Sequence, residues 1–424
     1  MFQTEIPIIS IILLGLAVIA VIIAIVYGHS PLRATIRTAT LQKENSRPKN
    51  EEDHGSEEEQ KTDNKADQES EDEPEILRTE PEDLMKVSIV VTASAGTETV
   101  ARFLDSINEQ DYPNFEVIVV FDASPETAAL LTEELEGNYP DVHFTFIPTE
   151  SHNLSRPKLA VLVGIKAATG DIILTTTANT HIHSNSWLRA IAAPFNANPD
   201  TEVVLGFSHG DYAELCGISK WYRQFDFILT SAQWLGAAAT GKPYRGTRYN
   251  LAFRRETFFR NKGYAHTIFL HYGDDDLFIN EIATGRNTAL VLSPESVVTT
   301  EWGSSANRVW RLQKDAYSFT TRWLPKAPFV RAGVTSALQW ITPLLCVAAA
   351  LTALPNLIPA IIAVVILLTF WGIEIATYRR LAASLGAIRL WWAVIPFRML
   401  RPISNHLLKL THRRQRVKNY TWQR

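Results

Sequence analysis

Cysteine is nearly missing: Cys216 and Cys346 are the two in 424 residues, and they stand far apart. That excludes a disulfide framework and any Cys-based zinc spacing, and it suits a reducing compartment. Charge is missing from Ile6 to Tyr27. So long an apolar run exceeds a signal-peptide core, and no basic residue precedes it, so it reads as a membrane-spanning helix. Large apolar residues are scarce from Lys43 to Pro81, where Glu, Asp, Ser, Lys and Gln dominate. Such a segment buries too little to offset chain entropy and reads as a disordered tether. Between Glu51 and Asp83 there are 16 acidic and 3 basic residues, a local balance of −13, so the rest of the chain carries about +9 within a net charge of −4.

Two further apolar segments, Val334 to Leu354 and Leu357 to Tyr378, are parted only by Pro355-Asn356, as in a helical hairpin. Arg33, Arg37, Lys43, Arg47 and Lys49 follow the first span, whereas only Glu5 precedes it; Arg331 and Arg379-Arg380 flank the hairpin. The positive-inside rule then puts the N-terminus and the hairpin tip outside and the intervening chain in the cytoplasm. Ala387 to Leu410 mixes Trp391, Trp392, Phe397 and Leu407 with Arg389, Arg398, Arg401 and Lys409, which predicts an interfacial helix on an anionic leaflet, broken near Pro396 and Pro402. The basic tail beside it is lipid-facing, with no nucleic-acid partner. The predicted organisation is a membrane helix (1–30), an acidic linker (31–84), a cytoplasmic domain (85–325), a membrane hairpin (332–378) and a basic interfacial tail (379–424).

From Val87 the pattern alternates. Strands are predicted at 87–91, 115–120, 142–147 and 170–174, with helices at 100–107, 125–135 and 157–168 between them. This spacing implies right-handed crossovers and an α/β fold with a mainly parallel sheet flanked by helices. Ligands bind such sheets at the carboxyl ends of the strands, here Thr92-Ala93-Ser94, Phe121-Asp122-Ala123-Ser124 and Thr177-Ala178-Asn179. No Gly-rich phosphate loop follows the first strand, which argues against a nucleotidyltransferase.

Gly273-Asp274-Asp275-Asp276-Leu277-Phe278-Ile279 is the densest run of like charge beside apolar sequence. Neighbouring carboxylates raise one another's pKa toward that of a general base. The plainer reading is an acidic helix N-terminus favoured by the helix dipole.

Taken in order, these segments resemble the family 2 glycosyltransferases of the GT-A (Rossmann-like) fold. The resemblance rests on Glu109-Gln110-Asp111-Tyr112-Pro113-Asn114-Phe115 leading into the second strand, Asp122 and Ser124 after it, and Lys158 ahead of Gly164 to Asp171. It continues through Trp187-Leu188, Tyr249 to Arg255, the acidic run and Trp310-Arg311-Leu312-Gln313-Lys314, and covers roughly Lys86 to Trp323. It implies a nucleotide-sugar donor held by Asp122, Ser124, Lys158, Thr177, Asn179 and Arg254 (with Arg255 as an alternative cation). It implies Asp274 as the base and Asp276 as its partner, with Asp275 the alternate if the register slips by one. Trp234, Trp310 and Gln313 would stand on the acceptor side. The implied reaction is inverting transfer of a sugar to a lipid-linked or glycan acceptor in envelope glycan synthesis, by a multi-pass protein of the inner membrane with its catalytic domain in the cytoplasm.

Two of the family's motifs are altered. Its metal-binding Asp-Ala-Asp is Thr177-Ala178-Asn179, and its Gln-x-x-Arg-Trp is Gln313-Lys314-Asp315-Ala316-Tyr317. The resemblance implies magnesium or manganese; the missing carboxylates argue against strong binding. Asn179, His181 and His183 form a substitute ligand set that would favour manganese, zinc or iron. A catalytically inactive relative acting as scaffold or nucleotide-sugar sensor is the competing reading.

Overall fold

The computed structural model describes residues 6–46, 84–94, 96–147 and 154–419. Most of the acidic tether, from residue 47 to 83, lies outside the described residues.

The first apolar helix, α1 (Ile8–Ile23), runs through one π-helical turn to Gly28. It is followed not by linker but by a second helix, α2 (Ser30–Asn45). This corrects the predicted linker start at residue 31. Pro31 is preorganised for the first turn, and Leu32, Thr35 and Ala39 recur at helical spacing and are buried. The charges that suggested solvent, Arg33, Arg37 and Lys43, occupy other faces of the helix.

The domain then alternates as predicted: β1 (Val87–Ala93), α3 (Thr97–Asn108), β2 (Phe115–Phe121), α4 (Pro125–Glu136), β3 (Val142–Phe146), α5 (Arg156–Ala167) and β4 (Ile172–Thr177). Next come β5 (Thr180–Ile182), α6 (Trp187–Ala197), β6 (Val203–Gly206), β7 (Ser208–Gly210) and the long α7 (Gly217–Ala239). They are followed by β8 (Leu251–Arg254), α8 (Arg255–Arg260), α9 (Asp276–Ile282), β9 (Thr288–Val291), β10 (Val298–Thr300) and α10 (Ala306–Thr320). The chain closes with α11 (Lys326–Thr352), α12 (Ile358–Ser384) and α13 (Val394–Asn419).

Seven strands form the main sheet in the order β3-β2-β1-β4-β8-β6-β9; β5, β10 and β7 form a second sheet. β3, β2, β1 and β4 are mutually parallel, whereas β8 is antiparallel to both β4 and β6. The parallel strands are nearly continuous apolar runs, as strands buried on both faces must be, and Ile89, Val90, Val91, Val119 and Val120 are fully buried.

α2 ties the first apolar helix to this domain. Thr35 Oγ1 donates to the Ala232 carbonyl of α7 at 3.0 Å, and Gln42 bridges the Leu290 carbonyl and the Leu292 N–H. The crossing is so close that a Cβ at Gly236 would lie 2.0 Å from the Pro31 carbonyl oxygen. Only glycine admits that approach.

Among the described residues three helices are long and apolar enough to cross a membrane: Ile8–Gly28, α11 and α12. α13 is continuous past Pro402, so the predicted break there does not occur; Pro396 falls in its first turn, where a missing N–H costs little. Arg398 and Arg401 are taken up by ion pairs. Arg398 Nη2 lies 2.8 Å from Glu374 Oε2 of α12, and Arg401 Nε lies 2.7 Å from Asp226 Oδ1 of α7. The helix is therefore a strap that joins the hairpin to the domain.

Candidate active site

The acidic run sits at the carboxyl edge of the sheet. Thr176, next to last in β4, donates to the Tyr249 carbonyl at 3.0 Å, and the preceding residue, Arg248, reaches Asp274 Oδ1 at 2.9 Å. From the other side the first turn of α5 supports the loop leading to the run: Ser155 N–H donates to the Ile268 carbonyl at 2.9 Å and its hydroxyl to His271. Gly273 makes the turn into α9 with φ +93°, where a Cβ would stand 2.5 Å from the Leu277 side chain.

The three carboxylates have different partners. Asp274 is buried; one oxygen pairs with Arg248, its backbone carbonyl accepts from the Tyr264 hydroxyl at 2.9 Å, and among the described residues Oδ2 has no hydrogen-bond partner. Asp276, also buried, lies 3.3 Å from Arg245 and accepts from the Thr320 hydroxyl at 2.5 Å. Asp275 is partly exposed and caps α9 by accepting from the Asp276 N–H at 2.7 Å. Burial first, then the charges of Asp274 and Asp276, push its carboxyl up to about 7; Arg248 opposes them. The helix-cap role and the base-like pKa thus coincide in Asp275.

The remaining predicted residues divide. Asp122, at the end of β2, accepts from Arg156 Nε at 2.7 Å, and both are more than a third exposed. Ser124 caps α4, accepting from the Thr127 N–H at 3.2 Å. Asp122 and the acidic run are joined through α5, because Arg156 reaches the one while Lys158 feels the charges of the other.

Four expectations require correction. Lys158 is fully buried, donates to the Thr267 and Leu270 carbonyls at 2.5 and 3.2 Å, and is lowered to about 8 by burial; it pins the loop instead of facing a donor diphosphate. Arg254 pairs in register with Ile172, the first residue of β4, so it lies at the end of the sheet opposite Thr177 and donates to the Thr201 and Phe195 carbonyls. Arg255 follows it there, its N–H on the Asp171 carbonyl. Trp234 is buried within the core of α7, not in an acceptor passage.

The fourth correction is the metal set. Thr177 Oγ1 is 3.2 Å from the Thr180 hydroxyl, the Asn179 amide donates to the Glu301 carbonyl, and His183 bonds Thr299 at 2.8 Å. His181 and His183 stack edge to face at 4.7 Å. Among the described residues no group of three His, Cys, Asp or Glu side chains is placed to hold a metal ion. The residues at the Asp-x-Asp position therefore do not fit a tightly held divalent cation. Trp310 donates from its indole to Asp226 at 3.1 Å, and Gln313 contacts Tyr317 at 3.4 Å.

Sequence reasoning passed over Arg245, Arg248 and Arg156. The available signal was Tyr244-Arg245-Gly246-Thr247-Arg248-Tyr249, two cations three residues apart just before β8. A buried triple carboxylate needs opposite charge nearby.

A mainly parallel sheet with an arginine-bound acidic cluster at its carboxyl edge, joined there by antiparallel β8, defines a GT-A domain. Residues 88–248 match the family model "Glycosyl transferase family 2". The chain thus carries a family 2 glycosyltransferase domain, and with it the fold and reaction class of a transferase. No match is found among curated proteins. Among solved structures, the mannosyltransferase PcManGT from Pyrobaculum calidifontis, in complex with GDP-Man and Mn2+, is 17% identical over 90% of this chain and 99% of its own, with a TM-score of 0.45. GalNAc-T7 with UDP, GalNAc and Mn2+ is 16% identical over 53% of this chain and 44% of its own, at 0.38. S. aureus TarS is 16% identical over 76% and 54%, at 0.37.

Proposed function

We propose that the protein is a membrane-anchored inverting glycosyltransferase that moves a sugar from a nucleotide-diphosphate donor to a lipid-linked or other membrane-proximal acceptor. The work would lie at the cytoplasmic face of the inner membrane, in envelope glycan synthesis. The observation that carries this reading is Asp275, a partly exposed carboxylate held near pH 7 at the strand edge where a donor binds.

Asp275 takes the proton of the acceptor hydroxyl as that oxygen bonds to the anomeric carbon. The bond from that carbon to the donor phosphate breaks on the opposite face, inverting the configuration and releasing the nucleoside diphosphate. The base role moves from Asp274 to Asp275 because Asp274 and Asp276 each spend charge on an arginine. The donor base is read by Asp122, with Ser124 ordering the turn beside it. Arg156 and Arg248, both partly exposed, supply the positive charge that the diphosphate needs and that neutral Thr177 and Asn179 cannot recruit through a metal. Bidentate guanidinium contacts suit phosphate oxygens.

The neutral Thr177-Ala178-Asn179 triplet favours a second reading, an inactive scaffold or nucleotide-sugar sensor. A thermal-shift screen of the full-length protein against nucleotide sugars, paired with a labelled-sugar transfer assay in membranes, separates the two. A donor that stabilises the protein and is turned over supports the enzyme; stabilisation without turnover supports the sensor.

A further inference from the structure

Next to the acidic run, at Arg245, lies a cleft of about 770 Å³ bounded by α7, α10, α11, α13 and the loop before β8. Its charged lining is lopsided. Among the described residues Arg245, Lys314, Arg401 and Lys409 face it, against Asp315 as the one carboxylate. Behind the wall Asp226 binds Lys314 and Arg401, and Asp276 lies beside Arg245, so four cations meet three carboxylates. Arg245 is only 4% exposed, and among the described residues its Nε and Nη2 have no hydrogen-bond partner, although Nη2 stands 3.3 Å from Asp276. Its guanidinium has Asp276 as counterion and packs 3.9 Å over the Tyr317 ring, but buried donors without a hydrogen bond remain costly.

The opposite lining is apolar. Phe329 and Trp340 of α11 and Leu407 of α13 line the cleft, with Trp340 and Leu407 substantially exposed. α11 is also one of the three helices apolar enough to cross a membrane. A cationic cleft walled by such a helix fits neither a free sugar nor a soluble anion alone. It fits a molecule with an anionic head and a hydrocarbon tail.

We propose that this cleft binds the acceptor, a phosphate-bearing lipid whose head meets Arg245, Lys314 and Arg401 and whose tail lies along α11 and α13 toward the bilayer. This rests on the transferase reading above and gives it an acceptor class and an entry route. Arg245 then serves two partners, the lipid phosphate on one side and Asp276 on the other, so acceptor binding and the acidic run are physically linked.

The test reads lipid binding apart from turnover. Full-length protein in bilayer nanodiscs is exposed to phosphatidic acid carrying a diazirine in one acyl chain, with diazirine-bearing diacylglycerol as the uncharged counterpart. Labelled peptides are then mapped. Expected is labelling of α11 and α13 around Trp340 and Leu407, about tenfold stronger for the phosphate lipid, the size of one charge-assisted contact. Ala337→Trp, an exposed cleft position, removes that labelling, whereas Val347→Trp, an exposed position of α11 outside the cleft lining, keeps it. Both variants retain the wild-type melting temperature and any nucleotide-sugar thermal shift. Equal labelling by the two lipids, or labelling untouched by Ala337→Trp, overturns the proposal. Absence of any nucleotide-sugar shift in the wild type sinks the transferase reading instead and leaves the lipid site to be judged on the labelling.

Discussion

Arg248 stands 2.9 Å from Asp274, in a cluster where three adjacent carboxylates share two arginines. Asp274 and Asp276 each take one arginine, and burial first, then the charges of those two neighbours, raises the Asp275 carboxyl.

Removing the guanidinium from this pair has a signed consequence. Arg248 lowers the Asp275 pKa, so Arg248→Gln raises it above about 7. A base must be deprotonated to act, so the acidic limb of the kcat profile moves to higher pH and activity at pH 7 falls. Donor KM rises as well, since the same cation faces the diphosphate. A pH–rate series on the variant checks both.

Asp274→Asn has the opposite sign. It deletes a neighbouring negative charge that raises Asp275 and frees Arg248 to act on it. The acidic limb therefore moves below pH 7 while transfer survives. Complete loss of transfer would return the base role to Asp274.

Much of this was legible in the sequence, and the reasons are physical. Parallel strands buried on both faces must be apolar runs, so β1, β2 and β4 announce themselves, and with them the strand ends that carry Asp122 and Thr177. The acidic run stands out because like charge beside apolar sequence is rarely tolerated without a purpose. Strand direction leaves no such trace. Arg254 was misplaced because β8 reverses, which depends on its pairing with β4 and β6. Lys158 was misread because its burial depends on a loop more than a hundred residues downstream folding over α5. α2 was hidden by its arginines and lysine, its narrow buried stripe becoming plain only against α7.

The strap helix makes a stability prediction. Asp226 is fully buried and holds Lys314 and Arg401 at 2.5 and 2.7 Å. Asp226→Ala leaves two cations without their partner and should cost about 3 to 5 kcal/mol. A thermal melt in detergent reads it, and α13 should become protease-sensitive first.

Chelation should matter little. With Thr177 and Asn179 in place of carboxylates, transfer in excess chelator should stay within about twofold of its rate with manganese, because a site without anionic ligands binds the cation weakly. The double variant Thr177→Asp, Asn179→Asp should acquire manganese dependence. Loss of activity in chelator by the wild type, restored by manganese, would reveal a metal site built from other groups.

The most direct measurement compares wild type with Asp275→Asn in two assays on the same preparation, nucleotide-sugar binding by thermal shift and labelled-sugar transfer at pH 7.5. Binding should be unchanged while transfer falls by at least about a hundredfold, the scale of a lost general base. Transfer that persists at the wild-type rate would contradict the account, since no partly exposed, base-like carboxylate of the run would then remain to do the work.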